Sequence, residues 1–126
     1  MLNINIKTIP HSEHRYPTCG DYWVDENGVQ QVRVSDMNNP DYEILVAIHE
    51  LIELYLCQKR GIKEEGITAF DVEFENNRVE GNVDEPGDDK NAPYRKEHFF
   101  ATNVERLLAE QLGVDWKVYS DIIEQL

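Results

Sequence analysis

Cysteine is scarce: Cys19 and Cys57 are the only two in 126 residues. That is too few for a disulfide framework, and Cys57, set in an apolar run, fits a small buried hydrophobe better than a metal ligand. Long hydrophobic runs are also missing, none approaching the ~18 residues of a membrane span. The start, Met-Leu-Asn-Ile-Asn-Ile-Lys, has neither the apolar core nor the small-residue cleavage site of a secretory signal, so a cytoplasmic location with no membrane partner is expected. Positive charge is the third shortage. Twelve Lys and Arg stand against 25 Asp and Glu, a formal net charge of −13. Such a chain repels phosphate backbones, which argues against ordinary nucleic-acid binding. No glycine-rich phosphate loop or nucleophile elbow is present either.

What remains is ordinary for a soluble globular protein: 40% hydrophobic and 29% charged residues. At this length a single domain over residues 1–126 is expected, burying roughly two-thirds of its unfolded surface around one core.

Leu2 to Ile9 alternates polar and apolar residues and predicts a half-buried strand ended by Pro10. His11 and His14 follow in a polar loop and are expected to be exposed. Two β-rich runs flank Glu26-Asn-Gly28, the strongest short-range hairpin signal, so a hairpin is expected over about 20–35. Asn39-Pro40 suits a helix start, and that helix should run from about 40 to 60 and stop at Gly61. Residues 62–77 read either as a strand, from Phe70, Val72 and Phe74, or as a short helix, from Thr68 with Asp71 and Phe70 with Phe74; the helix is chosen. Arg78 to Asn91 is a loop whose acids Asp84, Glu85, Asp88 and Asp89 could bind a hard cation such as calcium, but their spacing fits no known cation loop, so a solvated turn is expected. Pro93 opens a long helix closed by Gly113, and a last helix over about 115–126 caps the core with Trp116, Tyr119, Ile122 and Ile123. The fold class is therefore α+β: an N-terminal strand and β-hairpin packed on three to four helices.

The chemistry sits in the first long helix. Between Ile44 and Cys57 only His49, Glu50 and Glu53 interrupt an apolar run. Ionisable groups buried there cost several kcal/mol unless paired or metal-bound. His49 and Glu53, four residues apart, share a helix face, so both can reach one cation. Glu50 lies ~100° round the helix and flanks that face, where a general base would stand beside a metal-bound water.

His-Glu-x-x-Glu resembles the His-Glu-x-x-His helix of the zincins, the zinc-dependent metallopeptidases, with Glu in place of the second His. Zinc accepts carboxylate oxygen, so Glu53 is an acceptable ligand. The order of strand, hairpin and motif helix over roughly residues 20–60 is similar to small zincin domains. There an edge strand beside the helix can hold a peptide substrate. Ala-Phe-Asp at 69–71, Glu-Pro-Gly-Asp-Asp at 85–89, Pro-Tyr-Arg-Lys-Glu-His at 93–98 and Leu-Gly-Val-Asp-Trp at 112–116 together look like small uncharacterised bacterial and phage proteins, a likeness over most of the chain from residue 45 onward that supplies no activity.

His98, Ala101, Thr102, Glu105, Leu108, Ala109 and Leu112 share one face of the second long helix, directing His98 inward. Packed on the first helix, His98 completes a His49, Glu53, His98 set around zinc, with water in the fourth position and Glu50 as proton carrier. Glu105 or Asp71 would bond the free nitrogen of a histidine ligand. The expectation is a zinc-dependent hydrolase acting on a peptide or protein substrate. Two rivals stand beside it. One is an acidic interaction protein, a phage-type inhibitor or DNA mimic occupying a basic groove. The other is a MazG-like nucleotide pyrophosphohydrolase, in which Glu50 and Glu53 would serve magnesium, although histidines are poor magnesium ligands and a hairpin is foreign to an all-α bundle.

Overall fold

A computed structural model of the protein describes residues 1–126. Three strands and four helices follow one another: β1 (Ile4–Ile9), β2 (Gly20–Val24), β3 (Gln30–Ser35), α1 (Pro40–Lys59), α2 (Glu64–Asn76), α3 (Arg95–Leu112) and α4 (Trp116–Glu124). The fold is α+β, as expected, and within residues 62–77 the helix chosen over the strand is present as Glu64–Asn76.

The hairpin closes on Asp25, whose Oδ1 accepts from the amides of Asn27 and Val29, each at 2.9 Å. The strand order is β1-β3-β2. β2 runs antiparallel to β3, and β1 joins the far side of β3 in parallel, with Ile4 beside Gln30 and Ile9 beside Ser35. That parallel pairing has no signature in the sequence, because it joins segments separated by the whole hairpin. β3 is thus the central strand. Its Val32 and Val34 are fully buried beneath α1, while Arg33 points to the opposite face, where it and Arg15 lie over the Trp23 ring.

α1 begins as its sequence dictates. Asn39 Oδ1 accepts from the amides of Asp41 and Tyr42 at 3.1 and 3.2 Å, and Pro40 takes the first helical position, where no amide is needed. α1 buries Leu45, Val46, Leu54 and Cys57 in the core with Tyr22, Val32 and Val34. Cys57 is the small buried hydrophobe expected. α3 lies along α1 and buries Ala101 and Ala109. Small side chains let the two backbones approach, bringing His98 and Glu105 to α1. Gly113, left-handed at φ 70°, ends α3; Asp115 then caps α4 through the Val118 amide at 3.0 Å. α4 seats Tyr119 in the core, with Trp116 and Ile123 packed against it. No helix is long and apolar enough to cross a membrane.

Candidate metal centre

His49 and Glu53 enter from α1 and His98 from α3. They are 6, 4 and 4% exposed. His49 Nε2 stands 3.0 Å from Glu53 Oε2 and 3.2 Å from His98 Nδ1, and His98 Nδ1 stands 3.0 Å from the same Glu53 oxygen. Two imidazole nitrogens and one carboxylate oxygen thus form a near-equilateral triangle. The three residues expected to meet do meet.

Every member of the triangle is held from behind. His49 Nδ1 is 2.8 Å from Glu105 Oε1, and Glu105 Oε2 accepts from the Tyr119 hydroxyl at 2.6 Å. Glu53 Oε1 accepts from the Tyr22 hydroxyl at 2.9 Å. His98 Nε2 lies 3.1 Å from Asp88 Oδ1 and 3.2 Å from Glu85 Oε2. Glu105 therefore takes the role its helical spacing indicated. Asp71 does not: its oxygens accept from the hydroxyls of Tyr16, at 2.9 Å, and of Tyr94, and it touches neither histidine. Asp71 is positioned by α2, and the tyrosines from the β1–β2 connection and the approach to α3 reach it before any imidazole can.

Two groups depart from the sequence expectation. Glu85 is exposed, as expected, and Asp88 is half-buried, but both turn a carboxylate to His98, which was not expected. His11 and His14, expected to be exposed, are half-buried on Ser35, whose Oγ lies 2.8 Å from His11 Nδ1 and 2.9 Å from His14 Nε2. The missed partners Tyr22, Tyr119, Glu85 and Asp88 are far from their targets in sequence. A Glu-Pro-Gly-Asp turn carries no spacing that points to a helix seven residues on.

Glu50 is half-buried one position beyond His49, and its carboxylate has no hydrogen-bond partner within the chain. It abuts the start of β2 so closely that a Cβ on Gly20 would lie 2.7 Å from Glu50 Oε1 and from Val46 Cγ1. Glycine is the residue that fits there. The triangle and Glu50 line a cavity of about 490 Å3 with Tyr16, Tyr94, Asp71 and Arg78 also on its walls.

Charge within this cluster follows from burial and pairing. Burial alone would raise the Glu53 carboxyl, but its bonds from His49 and His98 outweigh it and pull the group down to about 2. For His98 burial opposes the charged form, yet Asp88, Glu53 and Glu85 together push it up to about 12. His49 is likewise raised well above its usual range, its bonds to Glu105 and Glu53 overcoming burial. Burial, reinforced by the Glu53 charge, lifts Glu50 well above the ordinary carboxylate range. Burial and then the charge of Glu85 push the Cys19 thiol up, which disfavours its thiolate.

β2 forms the other wall, and its outer edge is closed. By register, residues 20, 22 and 24 turn their backbone groups away from β3. The Gly20 amide and carbonyl both bond Thr18 Oγ1, at 3.3 and 2.7 Å; the Tyr22 amide bonds Asp21 Oδ1 at 2.8 Å; the Val24 amide bonds Glu64 Oε2 at 3.0 Å. The peptide-holding edge that the zincin likeness implied is occupied by the chain's own side chains.

No family model, curated protein or solved structure matches the chain, so the geometry stands without a relative to interpret it.

Proposed function

We propose that the protein is a zinc-dependent hydrolase in which His49, Glu53 and His98 hold the metal and Glu50 handles the proton. The observation that carries this reading is the triangle of 3.0, 3.0 and 3.2 Å between donor atoms. In a tetrahedral zinc site with bonds of about 2.0–2.1 Å, ligand atoms lie roughly 3.3–3.4 Å apart, so a few tenths of an ångström of expansion would admit the ion. A hydrogen-bonded cluster alone has less reason to aim two imidazole nitrogens at one carboxylate oxygen and to tie the reverse side of each ring to a further carboxylate. Those outer carboxylates are the usual support of histidine ligands.

Zinc bound here would lower the pKa of a water and polarise a carbonyl. The chain's own residues supply the rest. Glu50, at the cavity wall beside His49, accepts a proton from the attacking water and returns it to the leaving amine. With the outer amides of β2 occupied, the cavity receives its substrate by side-chain and end-group contacts, which favours short peptides or other compact amides over an extended strand. The three-stranded sheet fits poorly in an all-α pyrophosphohydrolase bundle.

Glu50→Gln separates binding from chemistry. Screened against a short-peptide library with stoichiometric zinc, wild type should cleave at least one member. Glu50→Gln should keep its zinc and lose activity by about 10²–10⁴-fold, the usual worth of a positioned acid–base group. Undiminished cleavage by Glu50→Gln would remove Glu50 from the mechanism.

A further inference from the structure

The loop between α2 and α3 contains a tight turn, Pro86–Asp88, packed against His98. Asp88 is used twice in it. Its Oδ2 accepts from the Glu85 amide at 3.0 Å, while the Asp88 amide returns a bond to the Glu85 carbonyl at 3.0 Å. Its Oδ1 is thereby left facing His98 Nε2 at 3.1 Å, with Glu85 Oε2 at 3.2 Å beside it. Gly87 closes the arrangement: a Cβ there would collide with the imidazole, 2.5 Å from Nδ1. Glu85, Gly87 and Asp88 are therefore all directed at one ring, and the loop upstream is anchored by Arg78 on the Asn82 and Asp84 carbonyls at 2.6 and 2.9 Å.

From this geometry we infer that the Glu85–Asp88 turn is the positioning device of His98, holding its Nε2–H so that Nδ1 is the nitrogen that gives its lone pair to the metal. The inference rests on the zinc reading. An imidazole that binds a metal keeps one N–H and gives up the other proton to expose a lone pair, and ionised carboxylates only accept. Two carboxylates at Nε2 place the proton there and leave Nδ1, the atom already in the triangle, as the ligand. Glu105 does the same for His49 with the nitrogens exchanged, fixing Nδ1–H and leaving Nε2 free. The two ligand histidines are thus held in opposite tautomers by carboxylates from different elements, α3 for His49 and the turn for His98.

The test uses the full chain, zinc competition against a chromophoric chelator, and the visible spectrum of the cobalt-substituted protein. The side chains of Glu85 and Asp88 are 52 and 37% exposed, so their truncation leaves the core in place. Wild type should bind one zinc. Glu85→Ala/Asp88→Ala should bind it about 10–100-fold more weakly and show a shifted cobalt spectrum. Glu85→Gln/Asp88→Asn, which retains acceptor oxygens, should recover most of the affinity and the spectrum. Wild-type affinity and an unchanged spectrum in the alanine pair would overturn the positioning role and leave the zinc site standing. Two zinc ions on wild type, one of them lost in the alanine pair, would overturn it differently, by making Glu85, Asp88 and Nε2 a second metal site. No zinc on wild type would overturn both the inference and the reading beneath it.

Discussion

Removing one hydroxyl, by Tyr119→Phe, tests whether the support behind His49 has energetic weight. The ring of Tyr119 is buried in the core, and phenylalanine would occupy the same space. What disappears is the donor at 2.6 Å from Glu105 Oε2, in a place that bulk water does not reach freely. A hydrogen bond to a charged group contributes about 1.5–3 kcal/mol, and a buried acceptor left unpaired keeps its desolvation cost. Unfolding entropy of about 2.1 cal/mol/K per residue turns that loss into a fall in Tm of about 6–11 °C for a chain of 126 residues. Tyr42→Phe is the matched control. Its ring stacks on Tyr119 at 5.3 Å between centroids, but its hydroxyl has no partner within the chain, so a change of no more than about 2 °C is expected. Thermal melts by circular dichroism in the presence of a chelator report the metal-free protein. A Tyr119→Phe protein melting within a degree or two of wild type would refute the reasoning, since the hydroxyl would then contribute no more than an exposed one.

Asp71 supplies a pH signature away from the metal ligands. Burial raises its carboxyl to about 7 despite the tyrosine donors. A group whose pKa is higher folded than unfolded contributes its stability in full below the unfolded value, near 3.8, and loses it as pH rises to about 7. Denaturant titrations should therefore show the stability of wild type relative to Asp71→Asn falling across that interval and level above it; a rise would reverse the assigned shift. Gly20→Ala drives a methyl into Glu50 Oε1 and Val46, so it should lower both the denaturation midpoint and the cleavage rate while zinc stoichiometry stays unchanged. Metal loss in that variant would show that β2 also shapes the triangle.

Much of this architecture was legible because its determinants are local. Asn39-Pro40 starts α1, Asn27-Gly28 turns the hairpin and Gly113 ends α3, each by backbone chemistry that acts over a few residues. Helical spacing alone put His49 with Glu53 on one face and turned His98 and Glu105 toward the core. The remainder depends on tertiary placement. Nothing local tells β1 to lie parallel to β3, or sends Tyr22 of β2 to Glu53 and Tyr119 of α4 to Glu105. Asp71, expected to bond a histidine nitrogen, is buried on α2, but two tyrosine hydroxyls meet it there. The acids of residues 84–89 look like solvent-facing turn residues. Only the packing of the turn against α3 gives Glu85 and Asp88 a buried partner.

The acidic balance takes on a local meaning in this arrangement. The triangle itself has one carboxylate for two imidazoles, so it would hold a divalent cation with net positive charge. Glu105 behind His49 and Glu85 and Asp88 behind His98 offset that charge. Such compensation lets a buried ion pair or metal site persist at acceptable cost.

Metal content is the most direct test of the central claim. Protein purified without added metal, then supplied with zinc and desalted, would be measured by elemental analysis for wild type, His49→Ala, Glu53→Ala and His98→Ala, with circular dichroism confirming that each variant is folded. About one zinc per wild-type chain, lost in all three variants, is the result the geometry predicts. Folded wild type that retains no zinc, or variants that retain it in full, would contradict the metal centre and return the four residues His49, Glu53, His98 and Glu105 to a buried hydrogen-bonded network.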